Sequence, residues 1–500
     1  MKAFDLSAFQ ARVLCEEENA DAALETALHG SALTLFLTAQ RSRPKFIELT
    51  WQTETDGRAL VLGDAWERSY GDLEFLPVRN NDRWMPWYFI VDEGNAQVCF
   101  GVKTQPNAFV SFRCGESSVT ALVDCRNGGC GVRLNGRRLQ LATFVFKAYD
   151  STDAFACLCD YCKTLCDMPL LPDRMICGGN NWYYAYGSSD YETIVRDAAL
   201  QAKLADGLTN RPFMVIDDGW QVHSCEGPWV PNKKFRDMKA LADDVKRLGA
   251  EPGLWVRLLH NRDKALTADV RLERGGERRY LDPTHPRVQQ SLRNDIARIR
   301  SWGYRLLKHD FSTVDLFGSY GMDLTAAITN DDSDWHFFDR SKTNAEIVLD
   351  LYRLILDACG DMLVLGCNTV SHLCAGLAHL NRTGDDTSGR EWDRTRVMGV
   401  NTLAFRLAQN NAFYLVDADC VGILKDCIPW EKNRQWLDLL ARSGTALFVS
   451  CDKADDEKVR DLAAAFRLAQ QPHALRPVDW KTTRTPQHWQ DGDAELRYEW

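Results

Sequence analysis

The sequence predicts an α/β protein: a (β/α)8 TIM barrel preceded by an N-terminal antiparallel β-sandwich and followed by a short C-terminal tail. Three observations predict it. The first roughly 150 residues break into short strand-like runs separated by turn residues. From about residue 174, eight short apolar runs alternate with helical patterns, the repeat that a barrel requires. The C-terminal ends of those runs carry ionisable residues again and again, at the rim where barrel proteins place their sites.

Bulk properties narrow the class. A chain of 500 residues is long enough for a barrel plus a companion domain. Charged residues make up 26% and apolar residues 45%, the balance of an ordinary globular protein. The net charge of −10 speaks against a nucleic-acid or anionic-membrane partner. In "MKAFDLSAFQARVLCEEENADAAL", Asp5 and Arg12 interrupt every apolar run, so a signal peptide is not expected, and no stretch reaches the roughly 18 apolar residues of a membrane helix. The 17 scattered cysteines then read as reduced thiols of a cytoplasmic protein.

Four segments are expected: a β-sandwich over 1–152, a helical linker over 153–173, the barrel over 174–470 and a short β or tail segment over 471–500. Sandwich strands are expected in "ALTLFLTA", "KFIELTWQTE", "WYFIVDEGNAQVCFGV", "AFVSFRC" and "LATFVFKAYD", with "DEGN", "RNGGCG" and "LNGR" as turns. The linker, "STDAFACLCDYCKTLCDMPLLPD", ends at Pro169 and Pro172. Its Cys157, Cys159, Cys162 and Cys166 do not converge on one point of a helix, so they read as packing residues and not a metal site. The barrel strands are expected in "RMICGGNNW", "PFMVIDDGW", "EPGLWVRLL", "YRLLKHDF", "MLVLGCN", "LAHLNRTGDD", "NAFYLVDADC" and "TALFVSCD". Helical patterns such as "YETIVRDAALQAKLA", "FRDMKALADDVKRLG", "PRVQQSLRNDIARIRSWG" and "AEIVLDLYRLILDAC" lie between them.

The strand ends carry the chemistry. The second run ends in Asp217-Asp218-Gly219-Trp220, and the third carries Trp255 and Arg257. The fourth ends in Lys308-His309-Asp310, the fifth in Cys367-Asn368, the sixth leads through Arg382 to Asp385-Asp386, and the seventh carries Asp417 and Asp419. One acidic pair alone reads as a helix cap. Several at one rim, with a Lys, an Arg and tryptophans, resemble a sugar pocket, since charged groups bind hydroxyls and indole faces cover a pyranose. Side chains alternate along a strand, so Lys308 and Asp310 share a face and His309 points away. A lysine beside Asp310 would hold it ionised, as a nucleophile requires, while His309 reads as a core histidine.

In order, "FMVIDDGWQ", "PGLWVR", "LDPTHP", "LLKHDF", "LGCN" and "RTGDDT" resemble glycoside hydrolase family 36, the α-galactosidases related to melibiase and to the raffinose synthases. The resemblance covers roughly residues 174 to 450. It implies a retaining hydrolase with Asp310 as nucleophile and Asp386, four residues after Arg382, as acid/base. It further implies that Asp217 and Asp218 hold the 4- and 6-hydroxyls and that Lys308 and Arg382 bind ring hydroxyls. Trp255 and Trp182 would wall the pocket, and Cys367 would lie near the 2-position. No cofactor or metal is expected, the substrate is an oligosaccharide or glycoside, and the resemblance leaves homo-oligomerisation open. Asp385 is expected to raise the pKa of Asp386 by like-charge repulsion, as an acid's role requires.

The sequence departs from the family at several points. Asn368-Thr369 stand where Gly-Ser is common, which leaves N-acetylgalactosamine open as the sugar. Arg257 is unusual and is expected on the aglycone side, and His309 replaces an apolar or Trp residue. The family's C-terminal sandwich is expected to be mostly missing or reduced to the short tail. Trp84 and Trp87 of "RWMPWYF" are candidates to reach a neighbouring copy, and on their own read as sandwich core. Rival readings are an α-N-acetylgalactosaminidase or a transglycosylase on the same site, a non-catalytic sugar-binding protein, and a metal-dependent barrel using Asp217, His309 and Asp310. The last is disfavoured because His309 and Asp310 point to opposite faces. A phosphate-binding barrel is disfavoured because no Gly-rich loop follows the seventh or eighth run.

Overall fold

A computed structural model describes residues 4–79 and 81–500; the first three residues of the expected sandwich segment lie outside it. The N-terminal region forms two antiparallel sheets. One has five strands in the order Phe9–Cys15, Pro44–Gln52, Ser118–Asp124, Phe109–Cys114 and Met85–Pro86. The other has seven: Ala23–His29, Ala32–Thr38, Leu139–Tyr149, Gln97–Val102, Tyr88–Asp92, Leu60–Gly63 and Leu76–Pro77.

Alternation decides which faces turn inward. In "ALTLFLT" the residues Leu33, Leu35 and Leu37 are buried, and in "PKFIELTWQ" so are Ile47, Leu49 and Trp51. Trp51 meets Phe100 edge-on with ring centroids 5.1 Å apart, inside a cluster that includes Phe112 and Phe144. The strands Phe9–Cys15 and Ala23–His29 are sheet edges with no fully buried residue. That leaves them without the apolar alternation that marks a strand in sequence. Trp87 is fully buried and stacked on His372 at 5.0 Å, a core residue, whereas Trp84 is partly exposed beneath the Arg113 guanidinium.

Helix α1 (Ala154–Leu165) follows, its first turn capped by the Asp153 side chain. Cys157 and Cys162 are buried on it and Cys159 partly so, and Cys166, buried too, follows its last turn. Among the described residues no group of three or more His, Cys, Asp or Glu is placed to hold a metal ion.

All eight predicted barrel runs form strands, and they close in sequence order into a parallel barrel. They are β1 (Cys177–Asn180), β2 (Phe213–Ile216), β3 (Glu251–Val256), β4 (Leu306–His309), β5 (Leu363–Gly366), β6 (Leu380–Arg382), β7 (Leu415–Ile423) and β8 (Ala446–Cys451). Each predicted helical pattern is also a helix: α2 (Tyr191–Leu204), α3 (Met238–Arg247), α4 (Pro286–Ser301) and α6 (Asn344–Cys359), with a short α5 (Ser312–Phe317) directly after β4. The chain closes with a three-stranded antiparallel sheet over Leu475–Pro477, His488–Asp491 and Ala494–Arg497. Trp480 from this segment packs against Phe75, Phe155 and Phe405, tying sandwich, linker and barrel together. No helix among the described residues is long and apolar enough to cross a membrane.

The sandwich docks on the barrel rim through its loop around residues 64–72. The backbone of Ser69 pairs with the segment after β6, donating to Thr383 O at 2.9 Å and accepting from Asp385 N at 2.9 Å. Below this bridge, fully buried Arg406 reaches Asp64 at 2.9 Å, Glu67 O at 2.6 Å and Thr383 O at 2.8 Å.

Candidate active site

A cavity of about 100 Å³ opens at the C-terminal rim of the barrel. Nine of the residues singled out from the sequence line it: Trp182, Asp217, Asp218, Trp255, Lys308, Cys367, Arg382, Asp310 and Asp386; His309, Asp385 and Asp417 do not. The other lining residues are Arg68, Asn180, Tyr183, Cys225, Phe311, Asn368, Asp419 and Cys420.

Asp310, directly after β4, is a buried carboxylate that accepts three hydrogen bonds. Its backbone N–H donates to Val256 O of the neighbouring strand at 2.9 Å. Its Oδ2 accepts from Trp255 Nε1 at 3.0 Å, and its Oδ1 accepts from Phe311 N at 2.7 Å and Asn368 Nδ2 at 2.6 Å. Burial pushes its pKa up, but Lys308, the bonds from Asn368 and Trp255, and Arg68 outweigh burial and hold it below the ordinary carboxylate value. The Lys308 ammonium does not touch Asp310. It is paired with Asp217 Oδ2 at 2.7 Å, which also accepts from Asn180 Nδ2 at 2.8 Å. His309 faces the other way, buried with its ring 5.6 Å from that of Tyr352, and burial lowers its pKa to about 4. A metal site shared by His309 and Asp310 is incompatible with that orientation.

Asp386 contradicts one expectation. Burial pushes its pKa up, but Arg382, Arg68, Lys308 and Arg394 outweigh burial and hold it below the ordinary value. Like-charge repulsion from Asp385 does not prevail, because Asp385 lies between Arg68 at 2.9 Å and Arg394 at 2.6 Å. Arg382 contacts Asp386 Oδ1 at 2.8 Å and Asp419 Oδ2 at 2.8 Å, and Arg68 contacts Asp386 Oδ1 at 3.3 Å.

Asp419 reaches the cavity because β7 has an irregularity between Asp417 and Cys420, and Asp419 itself has φ 78. A bulge of this kind re-aims a side chain at a barrel rim. Its Oδ2 accepts from Thr387 N at 2.7 Å and Thr387 Oγ1 at 2.9 Å, and from the Tyr183 hydroxyl.

Arg257 does not line the cavity, contrary to the expectation that it shapes the aglycone side. It lies behind the wall, with Nε 3.1 Å from both oxygens of fully buried Asp315 and Nη2 2.5 Å from Oδ1. Its guanidinium sits 4.4 Å over the ring of Phe311, which does line the cavity and holds φ 63. Burial pushes the Asp315 pKa up to about 6 despite that pair. Of the departures at 367–369, Asn368 bonds Asp310, whereas Thr369 turns to Asn381 at 2.7 Å.

Arg68 is the residue that strand-end reasoning misses entirely: it comes from the sandwich, 318 positions before Asp386. Asn180, which the sequence reading also passed over, does sit at a strand end, whereas Asp419, flagged from the sequence, lies midway along β7.

The fold and the cavity together define a (β/α)8-barrel protein with an N-terminal β-sandwich and a carboxylate-lined rim site. Among solved structures with this architecture is an α-galactosidase from Thermus thermophilus in complex with p-nitrophenyl α-D-galactopyranoside. It is 16% identical, with 95% of this chain and 99% of that chain covered and a TM-score of 0.64. A variant of a family 36 α-galactosidase from Geobacillus stearothermophilus in complex with stachyose is 14% identical, with coverage of 93% and 74% and a TM-score of 0.60. An α-galactosidase from Lactobacillus brevis is 13% identical, with coverage of 93% and 70% and a TM-score of 0.61. These likenesses establish the shared fold. No family model matches the chain, and no curated protein does.

Proposed function

We propose that this protein is a retaining glycoside hydrolase that removes a terminal α-linked, galacto-configured sugar by double displacement. The observation that carries the reading is Asp310: a buried carboxylate kept ionised by three hydrogen bonds and the field of Lys308, in the same cavity as a second carboxylate, Asp386. In the first step Asp310 attacks the anomeric carbon while Asp386 gives a proton to the departing oxygen. In the second, Asp386 takes a proton from water, which opens the glycosyl ester. The Asp217–Lys308 pair binds ring hydroxyls, and Trp182 and Trp255 cover the apolar side of the ring. Asp217 and Asp218 form the wall at the C4 and C5 side of the sugar. The low pKa values of Asp310 and Asp386 both favour an acidic working range.

Asn368 Oδ1 is buried beside Asp310 with no hydrogen-bond partner among the described residues. It is the acceptor for a 2-hydroxyl, a bond that strengthens in the transition state, or for the N–H of a 2-acetamido group, which keeps an α-N-acetylgalactosaminidase as a second reading. All 17 cysteines are free thiols, which supports a reducing, cytoplasmic location.

The test is turnover of aryl α-glycosides. Asp310→Ala should abolish it. Asp386→Ala should keep the first step on nitrophenyl substrates, whose leaving group needs little protonation, while the second step slows without its base, and should lose about 10²- to 10⁴-fold in kcat/KM on disaccharides. Full activity of Asp310→Ala would sink the reading.

A further inference from the structure

We infer that the cavity wall made by Asp218 and Cys225 selects a galacto-configured pyranoside without a hydroxyl on C6, either a 6-deoxy sugar or the matching pentopyranose. The inference rests on the glycosidase reading above, in which this wall faces the C5 side of the ring.

The two adjacent aspartates after β2 differ in what surrounds them. Asp217 bonds Lys308 and Asn180, and an ammonium has three protons, so donors remain for a sugar hydroxyl. Asp218 is filled by its own loop. Its Oδ1 accepts from Cys225 N at 2.8 Å and from the Gln221 side-chain amide. Its Oδ2 accepts from Ser224 Oγ at 2.7 Å and Cys225 Sγ at 3.1 Å. A carboxylate offers about four acceptor sites, and these four donors occupy them.

The loop that does this is held in an unfavourable shape. Cys225 has φ 59, a left-handed conformation that non-glycine residues adopt at a cost. Burial and the nearby Asp218 push its thiol pKa up to about 12, so the sulfur keeps the proton that it donates. Cys225 lines the cavity. What it presents there is a polarizable sulfur, a weak acceptor whose proton is already committed to Asp218. A hydroxyl placed against it loses water and gains no strong partner. A methyl group or a C–H packs there without that cost. The cavity, about 100 Å³, is also small beside the roughly 300–1,000 Å³ of pockets for drug-sized ligands.

The experiment compares 4-nitrophenyl α-D-galactopyranoside, α-D-fucopyranoside and β-L-arabinopyranoside, three glycosides that differ only at C6, on the full-length protein. The fucoside or the arabinoside should exceed the galactoside in kcat/KM by about ten- to a hundredfold, the range in which an apolar wall discriminates against one added hydroxyl. Cys225→Ala, which frees an acceptor site on Asp218, should return most of that factor to the galactoside. A galactoside turned over as well as or better than both others overturns the inference and leaves the glycosidase reading standing. Calorimetric titration of the Asp310→Ala protein with free D-fucose and D-galactose decides the point independently of turnover. Tighter binding of D-fucose supports the inference. Equal or reversed binding, or none of either sugar, overturns it, and absence of both turnover and binding also removes the glycosidase reading.

Discussion

Phe311 shows how one residue can govern the chemistry of its neighbour. It holds φ 63, presents its N–H to Asp310 at 2.7 Å, and starts helix α5. Nothing local favours that backbone for a phenylalanine. The Arg257 guanidinium over the ring, anchored on Asp315, supplies the tertiary support. Arg257→Met should therefore lower kcat by about a hundredfold with little change in KM, the effect of misplacing a reacting group by a fraction of an ångström to an ångström. Steady-state kinetics check this, and Arg257→Lys, which keeps the charge but not the planar stack, should recover only part of the loss. A fall in stability with kcat intact would mean that the pair is structural alone. At this scale the sequence showed which strand-end carboxylates and cations gather at the rim, but not how they pair: Lys308, expected beside Asp310, is bonded to Asp217, and Arg68 comes from the sandwich. It did not show their charge states. Asp385 looks like a repelling neighbour of Asp386 in a linear reading, yet Arg68 and Arg394 lie on it in space.

At the scale of elements, the loop that carries Arg68 belongs to the barrel site as much as to the sandwich. Its backbone pairs with the segment after β6, and its arginine contributes to keeping Asp386 ionised. The pH dependence follows with a definite sign. On the proposed mechanism, the acid limb of kcat/KM reports loss of the Asp310 anion, and the basic limb reports loss of the Asp386 proton. Both groups sit below ordinary values, so the optimum should lie on the acid side of neutrality. Arg68→Met removes a cation that favours the Asp386 anion, so the Asp386 pKa rises. The basic limb should then move up by about one pH unit or more, as a pH profile of the variant would show. All eight barrel strands were legible because each is a short apolar run with a polar end. Edge strands such as Phe9–Cys15 were not, since they bury no complete face. Nor was the irregularity in β7 that turns Asp419 inward, because "LVDADC" reads as one uninterrupted strand.

For the whole molecule, the interface between sandwich and barrel is built on buried charge. Arg406 and Asp64 are both almost inaccessible and face each other at 2.9 Å. Arg406→Met leaves Asp64 buried without its cation, which should cost about 3–5 kcal/mol of stability, read as a lower denaturation midpoint. The cysteines offer a second check on the assembled fold. Cys427 is exposed, Cys15, Cys159 and Cys225 are partly so, and the other thiols are buried. Ellman titration of native protein should show one fast thiol and at most three slower ones, with all 17 appearing only on unfolding. Neither the docking of the two bodies nor the path of the final segment under Trp480 was legible in the sequence, because each depends on contacts between residues hundreds of positions apart.

The bridge between Ser69 and the segment after β6 has a further consequence. The same loop closes the seam between the two bodies and brings a guanidinium to Asp386. Any motion that parts the seam withdraws that guanidinium in the same stroke. Were the seam to part, Asp386 would lose one of the cations that favour its anion and become easier to protonate, so the docking of the sandwich and the protonation of Asp386 are linked.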